Sequence, residues 1–186
     1  LSSAWSLWAG LRHTRLNRES ISNDGSSLTT YDQAFTTPWL AVMRRLGGGT
    51  MAYASWGEGV ESQVVPNQPR YANAGQPLPA LKSRQFELGL KHAADDVEAS
   101  AAAFDIRRPI ASDVGACDVD GSCTRRIDGA DRHRGLEGAL ALRHGAWHWQ
   151  ASAMWLRARR EEASDPSFNG LEPVNVPSYT FRLRAG

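Results

Sequence analysis

Residues Ser83 to Phe104 read SRQFELGLKHAADDVEASAAAF. In the first half, Phe86, Leu88 and Leu90 share one parity while Gln85, Glu87, Gly89 and Lys91 share the other. That is the period of a strand with one apolar and one polar face, a separation no helix can make. The alternation stops at Ala93-Ala94-Asp95-Asp96, a run with room only for a turn, and a small-residue segment of strand length follows from Val97 to Phe104. The stretch is expected to be a tight β-hairpin. Its flanks are polar: a run rich in Pro, Asn, Gly and Gln leads into it, and a run rich in Gly and Asp follows. One end of the hairpin is clipped short, and the other carries long loops.

A chain of 186 residues is long enough to bury one core, which favours one domain. The formal charge of +1 gives no electrostatic footprint for a nucleic-acid partner, and none is expected. Mean hydropathy is −0.44, and no run of eighteen apolar residues exists to make a spanning helix. A transmembrane β-barrel leaves no such run, because its strands are apolar only at alternate positions. The sequence starts at Leu1 without an initiator Met or a charged segment leading into an apolar one, so processing or truncation is expected to have removed the true start.

The hairpin pattern recurs along the chain. Trp5, Leu7, Ala9 and Leu11 alternate with Ser6, Trp8, Gly10 and Arg12 in a first strand that dissolves into a polar loop from Glu19 to Ser27. A second strand is expected over Phe35–Leu46, with Pro38 near its start, where a missing amide donor does least harm. Gly47-Gly48-Gly49 is a minimal turn into a third strand, Thr50–Gly59, and Glu61–Leu81 is a second long loop. After the central hairpin a third long loop covers Pro109 to about Asp131, and Leu136, Leu140 and Leu142 mark the next strand. Gly145-Ala146 turns into a strand with Trp147, Trp149, Ala151, Ala153 and Trp155 on one face. A fourth long loop, Glu161–Pro177, precedes a last strand in which Tyr179, Phe181 and Leu183 oppose Thr180, Arg182 and Arg184.

The reading is all-β: about eight antiparallel strands joined alternately by long and short connections, as in an outer-membrane barrel with short periplasmic turns and longer outer loops. A soluble sandwich or lipocalin-like barrel alternates too, with its apolar face inward. Two features favour the membrane barrel. Aromatics gather at strand ends (Trp147, Trp149, Trp155, Tyr179), as an interfacial girdle requires, and the opposite faces carry Glu87, Lys91, Glu137, Arg143, Arg182 and Arg184, too many charges for a dry core.

Five segments resemble the barrel of TonB-dependent siderophore receptors. They are Tyr53-Ala54-Ser55-Trp56-Gly57-Glu58-Gly59, Tyr71-Ala72-Asn73-Ala74-Gly75-Gln76-Pro77-Leu78-Pro79, Lys82 to Lys91, Arg132-His133-Arg134-Gly135-Leu136-Glu137 (R-x-x-G-x-E) and Asn175-Val176-Pro177-Ser178-Tyr179-Thr180 (N-x-P-x-Y-T). The resemblance implies an outer-membrane, multi-pass β-barrel that imports ferric siderophores, with energy supplied by the TonB–ExbB–ExbD complex through an N-terminal region. Its members close about 22 strands around a plug. Residues 1–186 are thus expected to be a partial barrel domain, with the plug and remaining strands absent. The rival is a small complete barrel or sandwich with a structural or adhesive role.

Cys117 and Cys123, the two cysteines of the chain, stand in the third long loop. In an oxidising exterior they read as a loop-pinning disulfide, with a metal site or free thiols as alternatives. Asp113, Asp118, Asp120 and Asp128 read as a solvated loop, since no Glu follows at EF-hand spacing, and His13, His92, His133, His144 and His148 have no paired ligand spacing. No metal, cofactor or catalytic residue is expected; the siderophore is cargo. A polar, often aromatic chelate asks for aromatic faces with a few Arg or Asn donors on outer loops and upper lumenal walls. By position, Tyr31, Trp56, Arg70, Tyr71, Asn73, Arg132 and Phe168 are the candidate ligand contacts.

Overall fold

A computed structural model describes residues 4–21 and 27–186. They form one sheet of eight antiparallel strands in sequence order: β1 (Trp5–Ile21), β2 (Ser27–Gly47), β3 (Thr50–Glu61), β4 (Leu81–Ala94), β5 (Val97–Gly115), β6 (Cys123–His144), β7 (Trp147–Glu161) and β8 (Tyr179–Ala185). Among the described residues β1 and β8 are the sheet's two edges, and the one helical element is a single 3-10 turn, Pro166–Phe168.

The short connections are the expected ones. Gly48 (φ 57°) and Gly49 (φ 75°) close β2–β3, Asp95 (φ 35°) starts the β4–β5 turn and Gly145 (φ 58°) the β6–β7 turn. Positive φ at the first turn residue matches the twist of the flanking strands, the geometry of primed hairpin turns.

Two of the expected long loops are instead strand. The polar run after β1 stays paired, Arg18 opposite Tyr31 and Glu19 opposite Thr30, and residues 22–26 of that run lie outside the described set. Likewise β5 and β6 remain paired as far as Gly115 opposite Cys123, so that the connection shrinks to residues 116–122. Here polar side chains occur at both parities, Ser112 with Asp113 and Arg125 with Arg126, so the apolar alternation that marks a strand in sequence vanishes while the hydrogen-bond ladder continues. The β3–β4 and β7–β8 connections are long loops, as expected.

The ladder registers carry one face across the whole sheet. Leu7 faces Val42 and Ala9 faces Leu40; Leu40, Trp56 and Phe86 share a row, as do Ala54, Leu88, Ala103, Leu136, Trp155 and Tyr179. Among the described residues nothing covers these side chains: Leu88 is 55% exposed and Phe181 70%. An apolar band of this extent, with Trp and Tyr at its margins, fits contact with lipid tails. The opposite, inward face holds Glu87, Lys91, Glu137, Arg143, Arg182 and Arg184, as the alternation predicts, and Tyr53 donates to Glu87 there at 2.5 Å.

Across β2, β3 and β5 Ala and Trp occur on both parities of the sequence, so their faces are assigned by the register. On the inward face three rings stand directly across the ladder from a glycine: Trp39 from Gly10, Tyr53 from Gly89, Phe104 from Gly135. A Cβ on those glycines would lie 2.3, 2.5 and 2.5 Å from the ring, so each ring lies flat over bare backbone.

Candidate ligand-binding mouth

The protein's buried cluster lies beyond the apolar band, at the long-loop end. Val65, Tyr71 and Leu78 of the β3–β4 loop pack with Cys123 at the start of β6, and Ala74, Ala111 and Cys117 flank them. The Cys117 and Cys123 sulfurs form a disulfide across the β5–β6 connection. Alkylating reagents should label both cysteines only after reduction, as counted by mass shift on the intact protein; labelling without reductant would contradict the bond.

Two sets of bonds moor the β3–β4 loop. On one side it meets β6 almost as an added strand: the Ala72 amide donates to the Cys123 carbonyl at 2.8 Å, and the Cys123 amide to Arg70 at 3.0 Å. Asn73 clamps the main chain of Arg125, donating to its carbonyl at 2.8 Å and accepting from its amide at 3.2 Å. On the other side Gln33 of β2 donates to the Leu78 carbonyl at 3.3 Å and accepts from the Ala80 amide at 3.1 Å. The loop therefore bridges the β1–β2 and β5–β6 hairpins and leans over the inward face of β2, where Tyr31 is completely buried.

Where these moorings meet, a recess of about 530 Å³ opens between Arg18, Gln63, Arg70, Tyr71, Asp113 and Arg125. Asp113 is its hub. The Tyr71 hydroxyl donates to it at 2.9 Å, Arg125 at 2.7 Å, and Arg70 stands 3.6 Å away. Burial opposes the ionisation of Asp113, but hydrogen bonds from Arg125 and Tyr71 and the charges of Arg125 and Arg70 outweigh it, leaving the carboxyl below its ordinary range. Arg70 also donates to the Tyr71 hydroxyl at 2.7 Å, while its Nε is buried without a partner. Three guanidiniums and one carboxylate line the recess, which leaves it cationic and suited to an anionic or oxygen-rich polar ligand.

Of the seven residues expected to meet a ligand, the structure brings Arg70, Tyr71 and Asn73 together. Arg70 and Tyr71 line the recess, and Asn73 is spent on the Arg125 main chain. Tyr31 lies under the loop with its hydroxyl donating to Gln33, and Arg18 stacks 5.9 Å from its ring. Phe168 is apart, exposed on the β7–β8 loop with Arg160 5.9 Å from its ring. Trp56 and Arg132 correct the expectation that they line the lumen. Strand parity puts both on the outward face, Trp56 in a row with Leu40 and Phe86, Arg132 above Leu136 and paired with Asp105 at 2.6 Å. Asp113 and Arg125 were not among the expected ligand contacts because they sit in a polar run taken for loop, and Arg18 because it closes the first strand as an ordinary polar residue. The signal was there: folding the chain about the Cys117–Cys123 pair sets Asp113 directly opposite Arg125.

The sequence pattern of the family described as "TonB dependent receptor-like, beta-barrel" matches residues 1–186. The ferrichrome receptor FcuA of Yersinia enterocolitica is 28% identical over 180 residues, which are 94% of this chain and 23% of that receptor. The ferric preacinetobactin receptor BauA of Acinetobacter baumannii superposes with a TM-score of 0.77 at 24% identity, over 98% of this chain and 27% of that one. The alcaligin outer-membrane receptor FauA of Bordetella pertussis gives 0.76 at 21% identity, over 100% and 32%. The chain thus spans 23% to 32% of the length of these proteins. With its eight-stranded meander, outward apolar band and charged inward face, the chain belongs to the TonB-dependent receptor-like β-barrel family of the outer membrane.

Proposed function

We propose that this segment is an arc of a larger barrel in an outer-membrane receptor that imports ferric siderophores, with energy delivered by TonB and its ExbB–ExbD partners. The observation that carries the reading is the cationic recess at the long-loop end, lined by Arg18, Arg70, Arg125 and Asp113 beside the Tyr71 hydroxyl. Its chemistry suits the oxygen-rich rim of a ferric chelate, and the likeness to a ferrichrome receptor supports the same reading. The contact set is Arg18, Arg70 and Tyr71 at the recess, with Phe168 as an exposed aromatic on the neighbouring loop. Import alters no covalent bond of the cargo, so the role is receptor rather than enzyme.

The test is radioiron uptake by an iron-starved strain lacking the gene and complemented with the whole coding sequence, supplied with ferric hydroxamate and catecholate chelates. Uptake of one chelate class should depend on the gene and on a functional TonB. The pair Arg18→Gln and Arg70→Gln should raise the chelate concentration for half-maximal uptake about tenfold or more, as expected for losing charge-assisted contacts. Uptake independent of the gene for every chelate would overturn the proposal.

A further inference from the structure

The recess at the mouth holds more positive charge than its own acid can match. Three guanidiniums against one carboxylate leave two positive charges over among its lining residues. Elsewhere on the upper inward face the cations are balanced. Arg108, Asp131 and Arg160 stand opposite one another across the β5–β6 and β6–β7 ladders; Glu61 takes Arg108 at 2.6 Å and Asp131 takes Arg160 at 3.5 Å, so each cation has its own acid.

The surplus is concentrated on one side chain. Arg125 is bonded to Asp113, and Arg70 is divided between the Tyr71 hydroxyl and Asp113. Arg18 lies over the Tyr31 ring and, among the described residues, makes no hydrogen bond or ion pair. It is exposed, so its donors stand open to a ligand. The rings beside it do not. Tyr31 is completely buried and Tyr71 is 4% exposed, and Arg18 and Arg70 lie over their faces at 5.9 and 4.7 Å. The recess therefore reads its ligand by charge and not by aromatic stacking.

Given the import role proposed above, we infer that the imported chelate carries net negative charge, and that Arg18 selects it over a neutral chelate. An anionic chelate gains attraction and forked, charge-assisted bonds in a site partly shielded from water. A neutral one must strip water from the same guanidiniums without that attraction. The negative charge can come from catecholate oxygens or from free carboxylates beside the iron-binding groups; both present anionic oxygens to the guanidinium fork.

The experiment uses the whole polypeptide in mild detergent and equilibrium dialysis against three radioiron chelates: a tris-catecholate, a hydroxamate with free carboxylates, and a neutral trihydroxamate. At least one of the two anionic chelates should bind about tenfold or more tighter than the neutral one, and the tighter of the two identifies the anionic group that is read. Arg18→Gln should weaken that binding about tenfold and leave binding of the neutral chelate unchanged, while Arg15→Gln, on the outward face of the same strand, should change neither. Arg18 has no hydrogen bond or ion pair to lose, so the variant should keep its heat-modifiable mobility. Raising the salt concentration, which needs no variant, should weaken binding of the anionic chelate alone. Neutral and anionic chelates bound equally well, an Arg18→Gln protein that binds as the wild type does, or an equal loss for all three chelates would each overturn the inference. Gene- and TonB-dependent uptake of the neutral chelate alone would overturn it and leave the import role standing; gene-independent uptake of every chelate would overturn both.

Discussion

Leu140→Arg should sharply reduce the amount of folded barrel recovered in the outer membrane, while Ala139→Arg, one residue away, should be tolerated. Leu140 shares the outward row with Ala99 and Ala151, whereas Ala139 faces inward beside Ser100 and Ser152. An arginine on the lipid face near the bilayer midplane costs about 2–4 kcal/mol, and on the lumenal face it stays in water. Leu88→Arg, in the middle of the β4 apolar trio, should behave as Leu140→Arg does. The readout is the fraction of whole polypeptide migrating as the compact, heat-modifiable form on a gel. If Ala139→Arg proved the more damaging of the neighbouring pair, the two faces of the sheet would have to be exchanged.

Tyr71→Ala should detach the β3–β4 loop without unfolding the wall. The ring is buried among Val65, Leu78 and Cys123, and its hydroxyl donates to Asp113. Truncating a buried aromatic costs about 3–5 kcal/mol. That loss falls on a loop held by a small satellite core, while the strands are joined by continuous ladders. Limited proteolysis should therefore cut within residues 62–80 in the variant while heat-modifiable mobility persists. Tyr71→Phe keeps the packing and drops one hydrogen bond to a carboxylate that retains Arg125, an effect of about 1 kcal/mol, so its loop should stay largely protected. Equal protection in all three proteins would show that the Asn73 clamp and the Gln33 bonds suffice without the ring.

The wall was legible in sequence because lipid and lumen impose opposite chemistries on alternate residues. Leu7, Leu88, Leu140 and Phe181 all stand on the face their parity gave. Beyond the bilayer that contrast disappears: the paired extensions around Glu19 and Asp113 look like loop because polar residues occur at both parities there. The mouth was half legible for a related reason. Tyr71 and Arg70 stood out as an aromatic and a cation in a Pro-rich loop, but Asp113 and Arg125 acquire meaning only once a ladder sets them opposite each other. Trp56 and Arg132 misled because an aromatic or an arginine near a strand end suits a ligand and a membrane interface equally; the register decides, and it set both outward.

The three flat rings over glycine fall on the β1–β2, β3–β4 and β5–β6 ladders. Their partners β2–β3, β4–β5 and β6–β7 are joined by tight turns, which fix the alignment of the strands they connect. The longer connections between β1 and β2 and between β3 and β4 impose no such alignment, and between β5 and β6 the Cys117–Cys123 bond contributes to the alignment. A slip of two residues would leave every side chain on its proper face, so the apolar pattern alone cannot forbid it. It would, however, drive Trp39 against Trp8 or Arg12, Tyr53 against Glu87 or Lys91, and Phe104 against Glu137 or His133. Each ring and its glycine thus act as a key and a keyway that admit one alignment. A growing barrel can check with them that a newly added strand has been threaded to the right depth.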